Sequence, residues 1–246
     1  MKVVVLSRAP AFYPWKSDRC LGHLVSEGHE VLAVVVEKSR PLRFLRDQLR
    51  SLGWRIFLRK ALRKLTGSFV GPQHQPGSPL HSPVRFRIIG VRSHNDPECV
   101  ELIRLLNPDL IVLRGCGIIK APLLEVPRKG TINAHYGLLP RYRGRNVTEW
   151  AVLYGDSVGV TVHIVDRGID SGALLACETI PVEPGDTLGT LLERSAAMAA
   201  RLLTYAVSGL ERGSITPQPQ EADAGRQFFE MHPRLRRLAE QRLRRS

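Results

Sequence analysis

The sequence lacks the features that would send a chain to a membrane, a metal or a disulfide scaffold. Its longest unbroken apolar run is VLAVVV at Val31–Val36, far short of the ~20 residues a membrane-spanning helix needs. The opening MKVVVLSRAP has one lysine and then four apolar residues before Ser7. That is too brief for a signal-peptide core, so a cytoplasmic location is expected. Cys20, Cys99, Cys116 and Cys177 are scattered, with no C-x-x-C pair. Such spacing supports neither a metal knuckle nor a disulfide framework, and buried, reduced thiols are expected. No H-x-x-x-H spacing or internal repeat is present, and no metal is expected. Acid is the scarcer charge: 23 Asp+Glu against 36 Lys+Arg leave a net +13. That balance favours acidic partners (nucleotides, phosphates, nucleic acid, anionic membranes) without choosing among them.

What is present fits a globular α/β protein. The 246 residues suffice for one large domain, or one domain with a small appendage. A hydrophobic share of 43% allows a sizeable core. KVVVLS (Lys2–Ser7) and EVLAVVVE (Glu30–Glu37) read as buried strands with a helix-length segment between them. Between Arg40 and Lys64 nine Arg or Lys accompany one acid, Asp47, and Leu42, Leu45, Leu49, Leu52 and Ile56 recur at helical steps. This predicts an amphipathic helix pair broken near Gly53. GPQHQPGSPLHSP (Gly71–Pro83) predicts an irregular loop. Strands and helices then alternate: FRIIGV, PECVELIRLLN, DLIVLR, GTINAHY, NVTEWAVLYG, GVTVHIVD and GALLACETIPV. A long amphipathic helix opens at Asp186 with Thr187 as a cap, and HPRLRRLAEQRLRRS predicts a short basic helix. The alternation predicts a doubly wound, mostly parallel, Rossmann-like sheet with helices on both faces.

Two familiar motifs fail on context. GCGIIK (Gly115–Lys120) follows a strand but lacks the third glycine of G-x-G-x-x-G, and no acid closes the next strand. It reads as a glycine turn, or as a backbone-lined loop that a planar ring can approach closely. GDSVG (Gly155–Gly159) matches G-x-S-x-G, but a helix precedes it and a strand follows, the reverse of a nucleophile elbow. His163 alternates with Val162 and Ile164 and reads as a strand histidine on one sheet face.

INAHYGLLPRYRG (Ile132–Gly144) is different. Residues two apart on a strand share a face, so Asn133 and His135 point into one pocket at the strand's carboxyl end, where open α/β sheets bind ligands. VDRGIDSG then supplies Asp166 and Asp170 in a turn after the next strand. An amide and a protonated imidazole can stabilise an oxyanion, and a carboxylate raises the imidazole pKa and assists proton removal from an amine. The same residues also carry a plain structural reading: Asn as turn former, His as a bonded strand end, Asp as a loop residue.

NAHYGLLPRYRG and GVTVHIVDRGIDSG resemble, in order, two sequence blocks of the formyltransferases that use 10-formyltetrahydrofolate. The resemblance runs from about Asp109 to Leu210, with VEPGDT and the helix after it included. It implies Asn133, His135 and Asp170 as the catalytic trio, with Asp170 rather than Asp166 in the catalytic slot. It implies that Leu113, Arg114, Gly115, Cys116, Gly117, Ile118 and Ile119 contact the folate ring through the backbone. Leu138, Pro140, Tyr142, Arg143 and Gly144 are expected to shape the turn and pocket rim, with Arg143 also placed to touch an anionic substrate. The implied division is a catalytic domain over 1–210, with a basic insert at about 38–84, and a basic C-terminal extension over 211–246.

Departures from the family's blocks narrow the substrate. The loop after the first strand, SRAPAFYPWKSD, lacks the glycine-serine phosphate loop of glycinamide ribonucleotide enzymes and the G-T-P segment of methionyl-tRNA enzymes. The expectation is therefore transfer of a formyl group to a primary amine of a small, anionic molecule, nucleotide-linked amino sugars first. Hydrolysis of formyltetrahydrofolate is the rival reaction. Nucleic-acid binding through the basic insert and tail is the rival of another class, and it leaves the two blocks unexplained. The insert at Arg40–Lys64 reads as a solvated surface helix pair, with membrane-surface docking or a dimer contact as its other readings.

Overall fold

The computed structural model describes residues 1–8, 19–38, 86–221 and 224–244. The expected helix pair at 40–64, the loop at 71–83 and most of the SRAPAFYPWKSD segment lie outside the described residues. Seven strands form the central sheet: β1 Lys2–Arg8, β2 Glu30–Glu37, β3 Ile88–Val91, β4 Leu110–Arg114, β5 Thr131–His135, β7 Val158–Ile164 and β8 Leu174–Ile180. Their order is β3-β2-β1-β4-β5-β7-β8. The first five run parallel; β7 is antiparallel to β5, and β8 to β7. Six helices are described: α1 Arg19–Ser26, α2 Pro97–Leu106, α3 Ala121–Leu124, α4 Val147–Tyr154, α5 Leu188–Arg212 and α6 Pro233–Leu243. Two further strands, β6 Tyr142–Gly144 and β9 Arg226–Phe228, pair parallel to one another. The expected mostly parallel, doubly wound α/β architecture is what forms.

Strand alternation divides the core between the two faces of the sheet. Val3 and Val5 of β1 enter one apolar cluster with Leu21, Leu24, Leu191 and Leu203 from α1 and α5. Val4 and Leu6 enter the other, with Val100 and Ile103 of α2 and Leu123 of α3. Each fully buried leucine of this kind stabilises the fold by ~1.5–3 kcal/mol. The long helix is capped where the sequence suggested. Thr187 is its N-cap in a reciprocal capping box with Thr190, while the Asp186 carboxylate accepts from the Glu183 N–H and the Thr190 hydroxyl.

All four cysteines are unbridged thiols. Cys20 and Cys99 are buried as expected, and burial pushes the Cys20 thiol up to about 12. The other two depart from the expectation: Cys116 is half-buried, and Cys177, on the edge strand β8, is exposed. Among the described residues no helix is long and apolar enough to cross a membrane.

The segment after residue 210 packs back on the body. α5 continues to Arg212, and Gln218 makes an antiparallel bridge with Leu174 of β8. β9 lies along β6, and α6 sets Ala239 and Leu243 into the main apolar cluster.

Candidate active site

The site is built on the β5–β7 pair. Asn133 and His135 stand two apart on β5, and both border one large cleft. The antiparallel register puts His163 opposite Asn133 and Thr161 opposite His135. Directly opposed residues share a sheet face, so His163, which the sequence left as an ordinary strand histidine, joins the cluster. The alternation of VTVHIVD was visible in the sequence; the register that brings it against β5 was not.

The turn after β7 delivers the carboxylate. Asp166 organises it from inside: its Oδ1 accepts from the Gly168 N–H at 3.0 Å and the Ser171 hydroxyl at 2.9 Å. Asp170 sits in the left-handed backbone region, φ +50°, which few non-glycine residues adopt. Its carboxylate lies with Oδ2 3.5 Å from His135 Nδ1 and Oδ1 3.6 Å from His163 Nε2. Oδ2 also accepts from the Gly144 N–H at 2.8 Å. Of the two candidate acids, Asp170 reaches the histidine and Asp166 holds the turn.

Tautomers follow from the partners. His135 Nε2 lies 2.7 Å from the Tyr142 carbonyl, which can only accept, so Nε2 carries the proton and Nδ1 faces Asp170. By the same logic His163 donates from Nδ1 to the Ile164 carbonyl at 2.8 Å. Its Nε2 lone pair then faces the Asn133 amide nitrogen at 3.4 Å. Burial pushes the His135 pKa down, against the pull of the Asp170 charge and the Tyr142 carbonyl. Burial would raise Asp170, but the neighbouring His163 and His135 rings and the Gly144 N–H together hold it below its ordinary value. The pair is therefore a neutral imidazole beside an ionised carboxylate at neutral pH. Such a pair can take a proton onto Nδ1 and stabilise it there.

Across the cleft, the end of β4 and the loop after it (Leu113, Arg114, Gly115, Cys116, Gly117, Ile118 and Ile119) all border the same space. Gly115 has φ +64°. Asn95, just before α2, clips this loop with both ends of its side chain: Nδ2 donates to the Ile118 carbonyl at 2.8 Å, and Oδ1 accepts from the Lys120 N–H at 2.8 Å. Thr190, Arg194, Ala197 and Ala200 of α5 form a further wall, and Gln227, Phe228 and Phe229 another. The cleft measures about 1410 Å3. One drug-sized ligand fills ~300–1,000 Å3, so the space suits two reactants side by side.

The expected rim residues divide. Gly144 borders the cleft, but Tyr142 and Arg143 do not, while Leu138 and Pro140, expected to shape the turn, lie in it. Leu138 accepts the Tyr142 N–H within the turn and packs on Gly159, while Leu139 donates to Thr161. Tyr142 is buried, stacks on Phe228 with ring centroids 5.1 Å apart and donates to Asp156. Arg143 donates to the Gly225 carbonyl at 3.1 Å. These residues seat the C-terminal segment, because the Leu138–Tyr142 turn carries the chain off the sheet toward β9. No cluster of three or more His, Cys, Asp or Glu among the described residues could hold a metal.

Comparison with known proteins gives the same direction. The model of the family described as formyl transferase matches residues 1–207. A methionyl-tRNA formyltransferase of Citrifermentans bemidjiense is 33% identical over 200 residues, covering 80% of this chain and 55% of that protein. The chain spans about half the length of the curated relatives it matches. Among solved structures, a sugar N-formyltransferase from Shewanella sp. aligns with a TM-score of 0.62 at 15% identity, over 99% of this chain and 87% of that one. A formyltransferase from Anoxybacillus kamchatkensis, in complex with UDP-4,6-dideoxy-4-formamido-L-AltNAc and tetrahydrofolate, aligns at 0.52 with 19% identity, over 92% and 85%. At such identities the structural matches speak for the fold alone; the family match over most of the sequence goes further, and the chain belongs to the formyl transferase family.

Proposed function

We propose that the protein transfers a formyl group from 10-formyltetrahydrofolate to a primary amine. The observation that carries this reading is the meeting of Asn133, His135 and Asp170 in one cleft, facing the Leu113–Ile119 loop. Two glycines in that loop suit the close approach of a flat pterin ring to backbone groups. The amine nitrogen attacks the formyl carbon, and the carbonyl oxygen gains negative charge. Asn133 donates to that oxygen, and the positive charge that His135 acquires with the amine proton offsets it. The amine proton passes to the His135–Asp170 pair, directly or through one water. The carbon–N10 bond then breaks, and N10 takes up a proton as tetrahydrofolate leaves. No metal takes part in this scheme.

Nucleotide-linked amino sugars are the acceptors this reading tries first, since a small anionic substrate suits a chain of net charge +13. Methionyl-tRNA is the second acceptor class, favoured by the identity to methionyl-tRNA formyltransferases. Purified protein given 10-formyltetrahydrofolate and both acceptor classes, with tetrahydrofolate and formate followed together, tests the proposal. Amine-dependent tetrahydrofolate release without formate, lost in His135→Ala, is the expected result. Formate release regardless of amine would replace transfer by hydrolysis.

A further inference from the structure

The family match ends at residue 207, yet the chain beyond it holds the loop that carries Asp170. Gln220 extends its side-chain amide to two carbonyls of that turn: Nε2 donates to the Asp170 carbonyl at 3.0 Å and to the Gly172 carbonyl at 2.6 Å. Both partners can only accept, so the amide nitrogen must be the end that faces them. The held backbone is the strained one: Asp170 has φ +50°, a conformation that persists only when its surroundings fix it. Asp166 pins the turn from within, and Gln220 pins it from outside.

The rest of the segment is seated just as closely. β9 pairs with β6 at Gly144, whose N–H is the backbone donor to the Asp170 carboxylate. A side chain at Gly144, φ +102°, would run into the Phe228 carbonyl; one at Gly225 would run into the Pro140 carbonyl. Both contacts with the Asp170 loop therefore depend on chain from outside the family match, one directly and one through β6.

We infer that Gln220 is a positioning residue for the reaction: it fixes the Asp170 turn so that the carboxylate meets His135. The inference rests on the proposed function for its kinetic consequence, but not for its geometric one. Gln220→Met keeps the length and loses both donors; Gln220→Glu keeps the shape and sets a charged acceptor against two carbonyls. Displacing a reacting group by an ångström costs up to about a hundredfold in rate, so kcat should fall about ten- to a hundredfold, more in Glu than in Met. KM for both reactants should stay within about twofold, which a general loss of folded protein would also leave unchanged.

The decisive second readout is the titration of the His135 ring by NMR in the full chain, with Asp170→Asn as reference. Pulling the carboxylate away removes the charge that favours the imidazolium, so the midpoint should move down, toward that of the reference. His163 is the other titratable ring beside the pair and is followed in the same spectra. Wild-type kcat and an unmoved His135 midpoint in both variants would overturn the inference. So would a fall in kcat explained wholly by lost folded protein, with the midpoint unmoved. If the wild-type chain turns over no amine, the functional proposal fails, and the His135 midpoint still decides the role of Gln220.

Discussion

Replacing Asp170 by Asn removes one charge with little change of shape, and the geometry sets the size of the effect. The carboxylate lies 3.5 Å from His135 Nδ1, and the His135 side chain is 7% exposed. A unit charge at that separation favours an imidazolium by about 1 kcal/mol in water and about 5 kcal/mol at the effective dielectric near 20 that suits protein sites. With tenfold in rate for each ~1.4 kcal/mol, kcat should fall by between about tenfold and a few thousandfold. Burial of the imidazole places the expectation in the upper half, at a hundredfold or more. KM for either reactant should move little, because the charge acts on a proton that arrives only as the bond forms. The assay is tetrahydrofolate release under saturating reactants, with Glu125→Gln as a control: Glu125 pairs with Arg167 at the surface and should leave the rate unchanged. An Asp170→Asn variant that is folded and keeps kcat within about threefold of wild type would refute the electrostatic reasoning.

Asn95→Ala should raise KM for 10-formyltetrahydrofolate about fivefold or more at unchanged amine KM, since it removes two loop hydrogen bonds worth ~0.5–1.5 kcal/mol each; initial rates with each reactant varied in turn will show it. Leu191→Ala, fully buried between α5 and the sheet, should cost ~2–5 kcal/mol of stability in urea unfolding. Asp170 also predicts an acid limb. Its folded pKa lies below the ordinary 3.8, so its stabilisation is complete well above that value and is lost as pH falls through the folded one. The Tm difference between wild type and Asp170→Asn should therefore shift toward the variant's favour as pH falls below about 4.

The strands were legible because buried β residues announce themselves: KVVVLS and EVLAVVVE became β1 and β2 almost residue for residue. Period two also aimed Asn133 and His135 at one cleft. His163 escaped because its place depends on which residue of β5 it meets, and register is a tertiary property. Tyr142 and Arg143 were expected at the rim because no local pattern announces β9, whose three residues pair only with a strand far away in sequence. Gln220 escaped for a like reason: one polar side chain in an irregular segment carries no period to read.

The β6–β9 pairing also sets an order of events during synthesis. Tyr142 leaves the ribosome long before Arg226, its register partner. At ~5–20 residues per second, the interval is roughly four to seventeen seconds. During it the nascent chain can already join β1 to β8 into a sheet. The carboxylate turn waits for the segment that clasps it, so the chain acquires its shape before it acquires competence.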